Sequence, residues 1–177
     1  MLKLVVIVLS VCYPFMVYWG LHHYDVKWLL LILLALLAMR WLVIDAQGER
    51  YVVVATMVCV SAIVFLWGEK VGLKFYPVMV SAGFFVLFTS SLFTSMSFVE
   101  RLARLRESHL SKKAMAYMRQ VTIAWSMFFV LNGTVAAYTA LWGSEEVWVL
   151  YNGLISYLLM GVLAGGEWLV RQRVKNG

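Results

Sequence analysis

One stretch decides the class of this protein: residues 121–142 read VTIAWSMFFVLNGTVAAYTALW and contain no charged side chain. About 20 apolar residues in a helix are enough to cross the hydrocarbon core of a bilayer. The run is continuous rather than alternating, which favours a helix over a strand of a membrane barrel. The segment therefore predicts a transmembrane helix.

The composition extends this interpretation to the whole chain. Of 177 residues, 63% are hydrophobic and 14% are charged, with a mean hydropathy of +0.85. Soluble domains are about 45–50% apolar and about 25% charged, so an ordinary cytosolic enzyme, a disordered chain and a secreted disulfide scaffold are excluded. The net charge of +6 comes from basic residues between apolar runs, which indicates membrane topology rather than binding to nucleic acid.

The apolar runs predict an all-α, polytopic transmembrane helical bundle of about six spans, forming a single integral membrane domain over residues 1–177. The predicted spans are 4–21, 28–44, 51–67, 75–99, 121–142 and 147–170, and a basic loop at 100–119 joins the fourth to the fifth. Pro14 and Gly20 interrupt the first run, which leaves five full spans as the alternative.

Basic residues predict the orientation of the bundle. With six spans, 12 of the 15 Lys and Arg residues lie on the side that holds both termini, which predicts that both termini are cytoplasmic. Aromatic residues are placed to mark the two membrane interfaces. The outer set is Trp19, Trp28, Trp67, Tyr76, Trp142 and Trp148, and the inner set is Trp41, Tyr51, Tyr117 and Trp168.

The loop between the fourth and fifth spans is the most basic part of the chain. Its cationic positions are Arg101, Arg104, Arg106, Lys112 and Lys113. They predict contact with anionic lipid head groups, as is normal for a topology-determining loop, and the alternative is docking of a cytoplasmic partner. Glu100 and Arg104 have the spacing of an i,i+4 ion pair, and Ser111 is placed to cap the following helix.

Polar and small residues inside the spans have two interpretations. They are Ser90, Ser91, Thr94, Asn132, Asn152, Gly161 and Gly165. Close helix packing is favoured, and a polar path for a transported molecule is the alternative. The GxxxG spacing of Gly161 and Gly165 predicts a close helix contact, either within the chain or in a homodimer.

Few ionisable residues fall at membrane depth. Glu167 and Arg171 are spaced for an ion pair near the inner interface, and Arg40 is placed to extend its side chain to the same interface. No phosphate-binding glycine loop, zinc-protease motif or nucleophile elbow is present in the sequence. We therefore predict a non-enzyme without catalytic residues, cofactor or metal ligands.

Several stretches of the C-terminal half resemble known families. Residues 121–133, VTIAWSMFFVLNG, are similar to a stretch of the bacterial intracellular septation protein A family. Closer likenesses are to small inner-membrane proteins encoded in aryl-polyene biosynthesis clusters, in residues 100–107 (ERLARLRE), 128–133 (FFVLNG) and 151–161 (YNGLISYLLMG). The resemblance implies a multi-pass protein of the bacterial inner membrane that acts in division and envelope synthesis, or beside enzymes of polyene-lipid assembly. Neither family supplies an established active site.

These observations predict a non-catalytic scaffold or accessory protein in cell-envelope biogenesis. Its expected partners are membrane lipids, inner-membrane or cytoplasmic proteins of envelope synthesis, and a second copy in a homodimer, with no nucleic acid. The alternative function is a carrier or flippase for an apolar lipid-like amphiphile, with the polar residues of the fourth to sixth spans lining its path.

Overall fold

The structure is a computed structural model that describes residues 12–20, 23–43, 47–105 and 111–176. Every regular element in these ranges is helical, which confirms the all-α class. The helices are α1 (residues 12–20), α2 (Val26–Val43), α3 (Gln47–Trp67), α4 (Glu69–Ser91), α5 (Phe98–Arg104), α6 (Lys112–Trp142), α7 (Glu145–Leu150) and α8 (Ser156–Asn176). A π-helical turn, Tyr151–Ile155, joins α7 to α8.

Four stretches of the described chain are long and apolar enough to cross a membrane. They are Arg50–Trp67, Glu69–Ser91, Lys112–Trp142 and Glu145–Gln172, and they correspond to the third to sixth predicted spans. The predicted count of six is not supported. Half of the first predicted span, 4–21, lies outside the described residues, and α2 is not among the four.

The outer faces of these helices are apolar. Phe65 of α3 is 90% exposed, Leu131 of α6 is 65% exposed and Val162 of α8 is 73% exposed. A protein in water rarely leaves so many large apolar side chains uncovered. The hydrocarbon of a bilayer is the solvent that suits these faces.

The fourth predicted span, 75–99, has different ends in the structure. Helix α4 begins just after Gly68, whose φ of 92° allows the tight reversal from α3. It ends at Ser91, where the hydroxyl donates to Phe88 O at 2.6 Å and accepts from the amide of Phe98 at 2.8 Å. The Ser91 hydroxyl takes the place of the backbone amide that would bond to Phe88 O if the helix continued. The helix therefore stops eight residues before its predicted end. The predicted loop 100–119 is itself helical over most of its described part, in α5 and the start of α6.

Helix α4 is the central element, since it packs against both α3 and α6. Towards α3, a Cβ atom on Gly83 would lie 2.5 Å from Val52 Cγ1, so only glycine permits this approach of the two helices. Towards α6, the rings of Phe84 and Phe88 lie 5.2 and 5.3 Å from the ring of Phe129. The glycine face and the aromatic face together fix α4 between its neighbours.

Pro77 interrupts the hydrogen bonds of α4 and creates attachment points for other helices. Proline has no amide hydrogen, so the carbonyl of Leu73, four residues earlier, has no helical donor. The hydroxyl of Tyr13 in α1 donates to that oxygen at 3.1 Å, and Trp148 Nε1 in α7 donates to the adjacent Lys74 O at 3.1 Å. Proline is tolerated in membrane helices when neighbouring groups satisfy the freed backbone in this way.

The same contacts correct the predicted aromatic belts. Tyr76 and Trp148 were expected at the outer interface, but Trp148 is fully buried and Tyr76 is 8% exposed. Trp148 is buried because its indole fills the core beside the Pro77 turn, while Tyr76 packs edge-on against Tyr13 at 4.7 Å. Both belong to the core of the bundle.

We expect Tyr13→Phe to lower the free energy of unfolding by about 1–3 kcal/mol, because it leaves Leu73 O buried without a donor. In a Pro77→Ala background the amide of residue 77 can supply that donor, so the same tyrosine substitution should cost markedly less. Unfolding of the purified protein in mild detergent by added SDS, followed by circular dichroism, measures both costs. Equal costs in the two backgrounds would contradict the assignment.

Candidate functional sites

A buried amide connects α4, α6 and the π-turn. Asn132 of α6 donates from Nδ2 to Ser81 Oγ of α4 at 3.1 Å. Its Oδ1 accepts from the Tyr151 hydroxyl at 3.2 Å. Since a polar group in an apolar interior must find partners, this side chain fixes the register of three segments.

A second amide, Asn152, lies inside the π-turn. Its Nδ2 donates to Thr139 Oγ1 at 3.3 Å and to Trp148 O at 2.9 Å, while its Oδ1 is buried without a hydrogen-bond partner. The two asparagines therefore bond to separate partners rather than to each other. Beside Asn152, a Cβ on Gly153 would lie 2.8 Å from the ring of Phe15, so glycine lets α1 lie against this turn.

The hydroxyls at the end of α4 serve the chain's own backbone. Ser90 donates to Leu87 O at 3.2 Å, and Thr94 donates to Ser91 O at 2.8 Å and to Met96 O at 3.0 Å. Ser91, Asn132 and Asn152 are all buried. A polar path would need these groups to be accessible along one continuous face. Their burial and their local bonds favour the packing interpretation.

Helix α8 leaves its glycines open. A Cβ on Gly161 or Gly165 would meet no heavy atom within 4 Å, and both residues are exposed. The close contact expected at this GxxxG spacing is therefore not made with another described helix of the chain.

The inner end of α8 is attached by a different contact from the predicted one. Glu167 and Arg171 form no ion pair with each other in the described structure. At this position both side chains can extend towards head groups instead of meeting. The Tyr117 hydroxyl of α6 donates to the backbone oxygen of Glu167 at 2.9 Å, and this bond links the two helices.

The described basic residues between α4 and α6 form a compact structure, which we call the basic elbow and define as residues 92–105 with residues 111–119. Arg101 donates from Nη2 to Thr94 Oγ1 at 2.7 Å and from Nε to Met96 O at 3.2 Å. Arg119 donates to Leu92 O at 2.9 Å. These arginines hold the turn that follows α4.

Two local predictions are confirmed in the basic elbow. Arg104 and Glu100 form a salt bridge with an Nη2 to Oε1 distance of 2.9 Å. Ser111 caps α6, since its Oγ accepts from the amide of Ala114 at 3.2 Å. Lys112 and Lys113 are exposed at the start of α6, and Arg106 lies outside the described residues.

Apolar side chains accompany the charges of the basic elbow. Phe93 is 86% exposed and Leu105 is 82% exposed, while the Arg101 and Arg104 side chains also reach the surface. Exposed apolar side chains next to cations are typical of a segment that lies at the surface of an anionic leaflet. The elbow can therefore contact lipid and still present cations to an acidic protein surface.

Arg40 is the polar residue whose position the sequence analysis missed. It was expected at the inner interface, but its side chain makes a polar contact with Tyr76 within the length of α4 and lines a small cavity. The reason is that α2 lies beside the Pro77 region, so that Arg40 faces the tyrosines of the core. The short apolar run before Arg40 was the only indication in the sequence.

Within the described ranges, no group of three or more His, Cys, Asp or Glu side chains could hold a metal ion.

Comparison with known proteins gives one relative and no family assignment. Over 88 residues the chain is 32% identical to the "Inner membrane-spanning protein YciB" of Polynucleobacter asymbioticus. The match covers 49% of this chain and 48% of that protein, so it spans about half the length of the relative. No protein-family model matches the chain, and no solved structure matches it. The relative supports the septation-type resemblance, whereas the aryl-polyene likeness has no counterpart in these comparisons.

We expect Asn132→Ala to lower the free energy of unfolding by about 1–3 kcal/mol, because Ser81 and Tyr151 would both lose a buried partner. Thr134→Ala is the matched control on the same helix, since Thr134 is exposed and bonds only to Val130 O; its effect should stay within about 0.5 kcal/mol. The SDS-unfolding measurement compares the two variants. If both behave alike, the amide does not hold the segments together.

Proposed function

We propose that this protein is a non-catalytic scaffold or accessory protein of the bacterial inner membrane that acts in cell-envelope biogenesis. The relative named as an inner membrane-spanning protein supports the location, as do the four membrane-capable segments. The observation that carries the proposal is the basic elbow, which presents exposed cations at one end of the bundle. Inside the bundle, the side-chain amides of Asn132 and Asn152 form hydrogen bonds between segments.

The elbow is suited to recruit a partner rather than to perform a reaction. Arg101 is fixed by two bonds and Arg104 by the pair with Glu100, so both guanidinium groups are ordered before a partner arrives. Ordered cations attract an acidic surface and lose little entropy when they meet it. We propose that the partners are proteins of envelope synthesis, of the septation type or of the polyene-lipid type.

The carrier alternative receives less support. A carrier would expose its polar groups to the transported molecule during part of its cycle. Here Asn132 bonds to Ser81 and Tyr151, and Asn152 bonds to Thr139, with each amide buried. Opening such a path would break all of these hydrogen bonds at once. A scaffold that keeps one conformation is therefore the better proposal.

We also propose six spans with both termini in the cytoplasm, α1 and α2 belonging to the two further spans. The distribution of Lys and Arg supports this orientation. Trp67 at the end of α3 and Trp142 at the end of α6 are both exposed, as interfacial tryptophans on the opposite side from the elbow would be.

Cysteine labelling tests this topology. In a background with Cys12 and Cys59 replaced by Ser, we expect Lys70→Cys to react with a membrane-impermeant maleimide in spheroplasts, because α4 begins on the outer side. Lys113→Cys should react only after the membrane is opened. Both native cysteines are free and exposed, so their replacement should be tolerated. The reverse labelling pattern would overturn the orientation.

The scaffold proposal predicts that Arg101, Arg104 and Arg106 changed together to Glu abolish the capture of partner proteins from native membranes. Affinity purification with mass spectrometry measures the capture, and the Lys113→Cys labelling assay shows whether insertion is intact. Lys27→Glu combined with Lys70→Glu is the control, since it reverses charges far from the elbow, and it should leave capture unchanged.

A second variant separates partner docking from damage to the elbow. Arg106, Lys112 and Lys113 changed together to Gln leave the two bonds of Arg101 and the Arg104–Glu100 salt bridge in place, and do not reverse the charge that directs topology. We expect capture to fall at least about tenfold, as for the loss of charge-assisted contacts. Unchanged capture by both elbow variants would refute the docking role.

A further inference from the structure

A small cavity lies between α1, α2 and α4. Its lining consists of Tyr13, Leu33, Leu36, Leu37, Arg40 and Tyr76. The free volume is about 10 Å³, which is close to the space of one water molecule or of one oxygen atom of a larger group. The wall is apolar on the α2 side apart from Arg40, and the tyrosine rings form the opposite wall.

This cavity lies within the length of a membrane-crossing helix. Tyr76 is seven residues after Glu69 and fifteen before Ser91, which places it about 10 Å from one end of α4 and about 22 Å from the other. The Arg40 side chain makes a polar contact with Tyr76 and lines the cavity beside it. A cation at this depth is costly, and such residues mark binding or transport sites by default.

The charge of Arg40 is not balanced by the described chain. No carboxylate among the described residues forms a salt bridge with it. The Tyr13 hydroxyl is already donated to Leu73 O. A guanidinium group has five N–H donors and no acceptor, so the contact with Tyr76 leaves most of its hydrogen-bonding capacity for another acceptor. An anionic oxygen meets that requirement with strong charge-assisted bonds.

We propose that Arg40 and Tyr76 bind the oxyanion head group of an acidic amphiphile, with one carboxylate or phosphate oxygen in the cavity. Phosphate chemistry is shared with free inorganic phosphate, but the cavity lies at membrane depth next to Leu33, Leu36 and Leu37. A molecule with acyl chains reaches such a site from the bilayer and covers the apolar lining, whereas a free anion loses its hydration there. This site is separate from the basic elbow and does not depend on the scaffold role.

The test uses the full-length protein purified in mild detergent, with thermal unfolding followed by tryptophan fluorescence. Phosphatidylglycerol, phosphatidylethanolamine and inorganic phosphate are titrated separately. We expect phosphatidylglycerol to raise the unfolding temperature, since a ligand that binds only the folded state stabilises it. Its apparent affinity should fall about tenfold or more in Arg40→Met and be partly kept in Arg40→Lys.

Controls separate this site from general lipid binding. Lys70→Gln removes one exposed positive charge and should respond to phosphatidylglycerol as the wild type does. Tyr76→Phe keeps the ring beside Tyr13 and should weaken the response several-fold, which tests the site even if Arg40→Met fails to fold. Arg40→Met should also leave partner capture by the elbow intact, so that failure of one proposal is distinguishable from failure of the other.

Each outcome decides the proposal. A phosphatidylglycerol response that depends on Arg40 and Tyr76, without a response to phosphate, supports a lipid head-group site. An equal response to phosphatidylethanolamine would refute the proposal that the head group must carry a net negative charge. An Arg40-dependent response to inorganic phosphate alone would refute the proposal that the ligand is a lipid. Unchanged phosphatidylglycerol affinity in a folded Arg40→Met or in Tyr76→Phe overturns the site.

Discussion

The carbonyl of Leu73, which Pro77 deprives of its helical donor, is the constraint on which the rest of the bundle depends. In an apolar solvent an unpaired backbone oxygen is expensive, so a donor from another helix must reach it. Tyr13 supplies that donor from α1, and Trp148 reaches the next carbonyl from α7. The missing amide hydrogen of Pro77 thus determines where α1 attaches to α4, and α7 attaches at the next residue along the same turn.

The polar groups of the described chain divide into two kinds by position. Inside the bundle, Asn132 and Asn152 are engaged in bonds that join helices, and they set register rather than chemistry. At the end of the bundle, Arg101 bonds to the turn after α4 and Arg104 pairs with Glu100 of α5, while both cations remain exposed. Arg40 fits neither kind, because it is a partly buried cation that lines a cavity beside the tyrosines of the core, and a bound anion would balance its charge.

Most features that depend on neighbouring residues could be predicted from the sequence, the unformed Glu167–Arg171 pair being an exception, whereas features that depend on two distant helices could not. The apolar run 121–142, the Ser111 cap and the Glu100–Arg104 pair follow from spacing along one helix, and the structure contains all three. Burial of Trp148 and the bond between Asn132 and Ser81 depend on which helix faces meet. In a soluble helix the apolar stripe reveals that face, but a membrane helix is apolar all round, so its sequence carries no such stripe. The position of Arg40 escaped prediction for the same reason.

The π-turn Tyr151–Ile155 determines how the structure responds to a change in chain length between α7 and α8. A π-turn holds one residue more than the α-helical path would, and each residue of an α-helix turns the chain by about 100°. Loss of a single residue here would leave composition and hydropathy almost unchanged. The turn would then close as an ordinary α-helical turn, and the side chains of α8 would keep nearly the same direction around the helix axis. Loss of one residue elsewhere in α8 has no such extra residue to draw on and would rotate the side chains beyond it by about 100°.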